Sequence, residues 1–287
     1  MSIPPIGVIG GSGLYELEGL TDREEIAMKT PFGDPSDSLI KGKFAGREVI
    51  FLPRHARGHR LLPTEIPHRA NLWALRSLGV RFIICVTAVG SLKEEYAPGH
   101  VLIPDQYYDR TSSRKEQTFF GNGIAAHVSP AEPYSKNLSE ILAQATEKSE
   151  LTVHRGGTYV NMDGPSFSTR AESLAHKAQG FDLIGMTNVT EAKLAREAEI
   201  ALASLCMVTD YDAWRPEEDA VNTQSVFETL MKNAANAKAI LAKALPEIPE
   251  EANWPEHSSL AMAFATPKKA WPTKIITRLE PLLKPYL

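Results

Sequence analysis

The 287-residue sequence predicts an α/β domain built around a largely buried sheet, and three observations carry that prediction. Short β-rich apolar runs alternate with stretches of helical period, the order expected when strands and helices share one core. Several of the runs are apolar at nearly every position, as strands covered on both faces are. Glycines and small polar residues gather where those runs stop, which is where open α/β sheets bind their ligands.

Taken along the chain, apolar runs predict strands at Ile6–Gly10, Glu48–Leu52, Arg81–Ala88, His100–Ile103, Thr158–Met162, Asp182–Met186 and Ala201–Thr209. Between them, apolar residues three and four apart predict helices at Pro67–Leu78, Lys136–Lys148, Ser168–Gln179, Glu191–Glu197 and Val226–Ala244. No linker rich in Pro, Gly or Ser interrupts residues 1–245, which read as one domain. Residues 246–287 carry seven prolines and read as an extension that packs on the domain or on a neighbouring subunit. Within it Ile275, Ile276, Leu279, Leu282 and Leu283 recur at helical spacing, a short closing helix that Pro281 would kink or begin anew.

Composition excludes several classes of function. Hydrophobic residues make up 43% of the chain and charged residues 23%, enough apolar surface for a core without staples. Lys and Arg number 31 against 35 Asp and Glu, a net charge of −4. With no block of five or six like charges, neither a nucleic-acid nor a membrane-surface footprint is expected. No apolar run is long enough to span a membrane. Cys85 and Cys206 both sit inside apolar runs, which suits buried reduced thiols and a cytoplasmic setting better than a disulfide framework or a zinc site. The opening segment has no basic residue before Arg23, so its apolar stretch is expected to belong to the fold.

Three clusters can carry chemistry. Gly10-Gly11-Ser12-Gly13 follows a predicted buried strand and is either a tight turn or a cradle in which backbone N–H groups and the Ser12 hydroxyl hold an anion. It is not a dinucleotide fingerprint, which needs a glycine where Glu16 stands. Leu14 rules out a nucleophile elbow, and no Lys completes a P-loop. Arg54-His55-Ala56-Arg57-Gly58-His59-Arg60 packs three arginines and two histidines into seven residues, a density that suits an anion, since Arg forks two hydrogen bonds onto phosphate and a neighbouring His can donate another or reach a sugar hydroxyl. A solvated basic loop is the plainer alternative, and a metal site lacks a completing carboxylate. Asp210-Tyr211-Asp212 ends an apolar run. On an extended backbone both carboxylates point to one side, where mutual repulsion raises one pKa and sets a proton donor beside an acceptor. The alternative is a helix N-cap beside a surface acid.

Read together, Gly10-Gly11-Ser12-Gly13, Arg54-His55, Thr87-Ala88-Val89-Gly90-Ser91-Leu92, Asp163-Gly164-Pro165-Ser166-Phe167-Ser168, Met186-Thr187 and Thr209-Asp210-Tyr211-Asp212-Ala213-Trp214 resemble, in order and in register from Ile6 to about Ala242, the methylthioadenosine phosphorylases of the purine nucleoside phosphorylase superfamily. The resemblance implies a single domain with a central mixed, partly barrel-like sheet flanked by helices. It implies phosphate-dependent cleavage of 5′-methylthioadenosine to adenine and 5-methylthioribose 1-phosphate, with no metal or organic cofactor and phosphate as co-substrate. Carried over by position, Ser12, Arg54, His55, Thr87, Ala88 and Thr187 form the phosphate set and Met186 lies against the ribose. Phe167 and Ser168 line the purine, while Asp210 and Asp212 read it, with Asp210 as general acid. His59, Thr223, Val226 and Phe227 surround the methylthio group, and His127 reaches in from a neighbouring subunit of a homotrimer. Asn188 and Thr190 stand where the family more often has Thr and Pro. The chemistry admits two relatives of this reading: a broader 6-aminopurine nucleoside phosphorylase that accepts adenosine, and a non-catalytic nucleoside-binding module.

Overall fold

The computed structural model describes residues 3–11, 14, 19–112, 117–215 and 223–287, the side chains of residues 223–227 and 230 excepted. Described strands are β1 (Ile6–Gly10), β2 (Thr21–Ile26), β3 (Leu39–Phe44), β4 (Arg47–Pro53), β5 (Phe82–Ser91), β6 (Val101–Ile103), β7 (Gln106–Asp109), β8 (Val153–Arg155), β9 (Thr158–Asn161), β10 (Leu183–Gly185) and β11 (Ala201–Asp210). The α-helices are α1 (His68–Ser77), α2 (Lys136–Glu147), α3 (Arg170–Ala178), α4 (Asn188–Glu197), α5 (Thr223–Ala244), α6 (Thr273–Arg278) and α7 (Glu280–Leu283).

All strands join one mixed sheet ordered β2-β3-β4-β1-β5-β10-β9-β7, with β11, β6 and β8 branching from β5. This is the mixed α/β domain the sequence predicts, but the sheet stays open: its path ends at β2 and β7 and does not close into a barrel. All seven predicted strands form. The four additional ones, β2, β3, β7 and β8, lack the continuous apolar character by which the others are recognised. β2, Thr-Asp-Arg-Glu-Glu-Ile, is charged and exposed along its length, as an edge strand that resists further pairing should be.

The central strand β5 builds the pocket. On one edge it pairs in parallel with β1 as far as Cys85, and with β10 in antiparallel fashion only from Gly90. Between those two partners Val86–Val89 carry no strand on that edge among the described residues, and the sheet splays. On the opposite edge β11 runs parallel to β5 until a register shift between Val208 and Asp210. Such a bulge bends a strand and re-aims its side chains.

Helices cover both faces. α2 and α5 pack with Ile6, Val8, Phe51, Ile84 and Leu205 on one side, while α1, α4 and the C-terminal segment enclose Ile9, Leu52, Ile83 and Leu202 on the other. Each such fully buried side chain contributes about 1.5–3 kcal/mol. From the C-terminal segment, Leu260, Trp271, Ile275, Leu279, Leu282 and Leu283 join the second core. Hydrogen bonds from Trp73 Nε1 to the Arg278 carbonyl (3.2 Å) and from Arg81 Nη2 to the His257 carbonyl (3.0 Å) fasten it. Pro281 lies in the first turn of α7, so the proline restarts the helix, one of the two outcomes its position allows.

Candidate active site

A cavity of about 470 Å³ opens where the sheet splays, at the carboxyl ends of β1, β4, β10 and β11 and over the unpaired stretch of β5. Its size is that of an ordinary small-ligand pocket. Of the residues singled out in the sequence, Arg54, His55, His59, Thr87, Ala88, Phe167, Ser168, Met186, Thr187, Asp210 and Asp212 all line it. His127 does not: it is exposed, and its backbone N–H donates to the Ala263 carbonyl at 2.8 Å. Ser12 lies outside the described residues, as do the side chains of Thr223, Val226 and Phe227 on the first turns of α5.

Arg54 is the anchor of one end. It follows Pro53, the last residue of β4, and its backbone N–H donates to the Gly10 carbonyl at 3.0 Å, which continues the pairing of β4 with β1 past the strand end. Although 1% exposed, the guanidinium is almost fully partnered. Nε donates to Glu191 Oε1 (2.6 Å), Nη2 to Glu191 Oε2 (3.2 Å) and the Ile9 carbonyl (3.3 Å), and Nη1 to the Val86 carbonyl (2.8 Å). Among the described residues four of its five N–H donors are taken, and one on Nη1 is left. That nitrogen stands against Gly11, where a Cβ would come within 2.8 Å of it, so glycine there keeps the guanidinium approachable.

The rest of the basic loop is not a phosphate fork. Arg57 donates from its backbone N–H and Nε to Asp37 Oδ2 (2.8 and 3.2 Å), and from Nη2 to Asp37 Oδ1 (2.8 Å) and Glu25 Oε1 (2.6 Å). Arg60 turns back onto the Arg57 carbonyl. Two of the three arginines thus brace the loop, and only Arg54 reaches the cavity. The Asp37 carboxyl, despite the burial that opposes ionisation, is drawn down to about 2 by these Arg57 bonds.

His55 Nδ1 lies 2.8 Å from the Leu61 carbonyl. A carbonyl only accepts, so Nδ1 carries the proton. Burial pulls the ring's pKa down to about 4, with the Arg54 charge adding to the effect, so the ring stays neutral at ordinary pH. Nε2 then offers a lone pair, suited to a phosphate O–H or a sugar hydroxyl, and not the donated bond that residue type alone suggested. The rings of His55 and His59 stack with centroids 4.3 Å apart. Met186 and Thr187 close this end from the turn after β10, and Thr187 immediately precedes the first turn of α4, whose positive dipole end favours an anion.

Asp210 and Asp212 form the other end, and they meet for a reason other than strand pleating. The bulge in β11 pairs Asp210 with Gly90, after which the chain turns, Asp212 adopting φ +51°. Asp210 Oδ1 accepts the Asp212 N–H (2.8 Å) and Oδ2 accepts the Thr209 hydroxyl (2.7 Å). A Cβ on Gly90 would sit 3.1 Å from Asp210 Oδ1 and 3.3 Å from the Asp212 Cβ, so the glycine leaves room for both acids. Burial raises the Asp210 pKa and the Asp212 charge raises it further, against the Thr209 and Asp212 hydrogen bonds. Asp212 Oδ2 is buried with no hydrogen-bond partner among the described residues. Trp214 clamps the turn, donating from Nε1 to the Ser91 carbonyl at 2.8 Å beneath the Lys177 ammonium.

Phe167, 48% exposed, stands over this end with Met162, Pro165 and Ile184. The helix after it, predicted from Ser168, begins at Arg170 and is capped by Thr169, whose side chain forms a capping box with Glu172. Ser168 Oγ instead faces Met162 Sδ at 3.9 Å.

Sequence reasoning overlooked Glu191. The predicted helix starts at Glu191 and gives that residue no role, whereas the helix begins at Asn188 and turns Glu191 inward, 1% exposed. The signal was available in Asn188-Val189-Thr190, three residues that carry no charge ahead of the acid. Among the described residues no group of three or more His, Cys, Asp or Glu could hold a metal ion.

Residues 5–246 match the family model described as "Phosphorylase superfamily". The chain is 49% identical to the S-methyl-5′-thioadenosine phosphorylase of Geobacter sulfurreducens over 98% of this chain and 99% of the relative. It is 51% identical to that of Chloroflexus aurantiacus, over 98% of each. Among solved structures it resembles a methylthioadenosine phosphorylase from an antarctic soil metagenomic library (TM-score 0.92, 45% identity, 99% of this chain and 100% of that one). It also resembles the methylthioadenosine phosphorylase of Schistosoma mansoni in complex with adenine (TM-score 0.84, 33% identity, 98% of each chain).

Proposed function

The chain belongs to the phosphorylase superfamily, and from that premise we infer that it cleaves the N-glycosidic bond of 5′-methylthioadenosine with phosphate, giving adenine and 5-methylthioribose 1-phosphate. It is a pentosyltransferase. The observation that carries the reading is the arrangement of one cavity, with Arg54, Thr87 and Thr187 at one end and the raised-pKa Asp210 beside Asp212 at the other.

That arrangement suits the reaction. Breaking the bond leaves positive charge on the sugar and negative charge on the base, so both ends need stabilising in the transition state. Phosphate held by the spare Arg54 N–H, by Thr87, Ala88 and Thr187, and by Ser12 supplies nucleophile and counter-charge, with Met186 against the ribose. Phe167 and Ser168 flank the purine. Protonated Asp210 delivers its proton to N7, a step typically worth roughly 10²–10⁴-fold, while Asp212 Oδ2 accepts from the 6-amino group. A 6-oxopurine would present an acceptor to that acceptor, so inosine-type substrates are disfavoured. No metal or organic cofactor enters the scheme.

At the 5′ end His59, Leu62 and Pro63 form the described wall, joined in this reading by Thr223, Val226 and Phe227 and by His127 of a neighbouring subunit. The exposure of His127 away from its own cavity supports that last assignment, and with it a homotrimer. Apolar walls reject an added hydroxyl only weakly, on the order of 10²-fold, so adenosine is expected as a poor substrate. Residues 1–245 would be the catalytic domain and 246–287 its packed extension. Two free, buried cysteines suit a cytoplasmic enzyme.

Incubation with 5′-methylthioadenosine, adenosine and 5′-methylthioinosine, each with and without phosphate, followed by chromatography of the released bases, tests the whole reading. Adenine released only with phosphate supports it. Binding without cleavage would make the chain a nucleoside-binding module.

A further inference from the structure

Beneath the phosphate end lies a buried set of side chains that the reaction scheme does not use. Glu191 takes two hydrogen bonds from Arg54 and a third from Asn188 Nδ2 (3.3 Å). Asn188 Oδ1 accepts in turn from the Tyr134 hydroxyl (2.6 Å) and from Ser204 Oγ (2.8 Å). Every member is buried: Arg54 and Glu191 are 1% exposed, Asn188 and Ser204 0%, and Tyr134 2%. Glu191 lines no part of the cavity.

We propose that Glu191 is a positioning residue for phosphate: its carboxylate fixes the Arg54 guanidinium so that the remaining Nη1 N–H faces the co-substrate, and its charge cancels that of Arg54 beneath the phosphate. The geometry leaves little freedom. A guanidinium held along its Nε/Nη2 edge by one carboxylate and at Nη1 by the Val86 carbonyl has one orientation, and the fork of Glu191 sets it. The two charges sustain each other. Burial works against both groups, yet the Arg54 pKa is raised by Glu191 and the Glu191 pKa is held below the ordinary carboxylate range by Arg54, so both remain ionised. With Arg54 balanced and His55 neutral, the phosphate is gripped chiefly by oriented donors and hardly by net charge. The Asn188 amide holds the back of the carboxylate, and the start of α4 at Asn188 brings both residues inward.

The inference rests on the phosphorolysis reading, so the wild-type enzyme is assayed first with and without phosphate; loss of phosphate dependence there would sink that reading and not this one. Glu191→Gln keeps the shape, removes the charge and turns an amide N–H₂ toward an Arg54 donor. Its KM for phosphate should rise at least about tenfold while its KM for methylthioadenosine stays within about threefold, and the rise in Tm that phosphate gives the wild type should shrink. Glu191→Asp should fall between the two. Asn188→Ala, which removes one bond to Glu191 together with those from Tyr134 and Ser204 and keeps the charge, should reproduce the split at about threefold, and it stands in if Glu191→Gln does not fold. A fall in kcat with both KM values unchanged would overturn the proposal, as would loss of folded protein in both Glu191→Gln and Asn188→Ala, since either outcome makes Glu191 a fold residue only.

Discussion

Replacing Asp210 with Asn separates chemistry from structure, because the surroundings of Asp210 accommodate an amide. The variant keeps an oxygen for the Asp212 N–H now bound at 2.8 Å. Its new N–H₂ can donate to Thr209 Oγ1, whose own proton then turns from the residue-210 side chain to the Val89 carbonyl, 3.1 Å away. No buried polar group loses its partner, so the expected change in stability is at most about one hydrogen bond, ~1 kcal/mol, or a Tm shift under about 4 °C. The amide can still hydrogen-bond N7 and hold the base, but it cannot transfer a proton. Turnover should therefore fall by at least about tenfold, and on the order of 10²–10⁴-fold if the base departs only when protonated, equivalent to about 3–5 kcal/mol of barrier. KM for methylthioadenosine should move by less than about threefold. The pH profile gives a second reading: a group raised above its ordinary pKa is protonated below that raised value, so wild-type turnover declines as pH climbs through it, and Asp210→Asn should lack that limb. Turnover within threefold of wild type, or a retained limb, would remove Asp210 from the acid role.

Arg54→Ala should chiefly raise the phosphate requirement, by at least about tenfold in KM, measured by initial rates over a phosphate series; an unaltered phosphate dependence would return the loop to structure alone. Asp212→Asn places a donor where Oδ2 has no partner, so the ratio of kcat/KM for methylthioinosine over methylthioadenosine should rise at least about tenfold, and an unchanged ratio would assign base reading elsewhere. Glu197, largely buried and bound by the Thr118 hydroxyl and the Phe119 N–H (both 2.7 Å), has its pKa pushed by burial from 4.5 to about 7. A raised folded-state pKa means that the associated stability is present below about 4.5 and lost as pH rises through about 7, up to about 3 kcal/mol before screening by the exposed part of the side chain. Glu197→Gln should then raise Tm more at pH 8 than at pH 5, and equal shifts in calorimetry would refute the assignment.

The buried strands were legible because burial on both faces writes itself as uninterrupted apolar sequence: β1 and β11 are read nearly to the residue, while β5 runs three residues past its predicted end, to Ser91. β2 is invisible for the opposite reason, its residues facing solvent and leaving no apolar pattern to mark it. The acids were found on a partly mistaken argument. Asp210 and Asp212 share a pocket through a bulge and a left-handed turn, neither of which leaves an alternating pattern to detect. The density of the basic loop misled for a related reason. Charge counts do not say which arginine faces inward, and only the distant Glu25 and Asp37 reveal that Arg57 is already engaged. Glu191 shows the converse, a charge that helix phasing alone turns into the interior once the helix start is placed three residues earlier.

One strand, β5, supplies Thr87 at one end of the cavity and Gly90, against the two aspartates, at the other. Three residues of extended chain span roughly 10 Å, and that span is set by covalent geometry and by the β11 ladder along one edge. On the proposed reading, the distance from nucleophile to leaving base is thus built into the scaffold as a fixed gauge, indifferent to loop drift. On that reading, where this enzyme diversifies its substrates the change should come at the sugar's far end, where His59 and Leu62 hang on irregular backbone, and the base and the phosphate should stay the same.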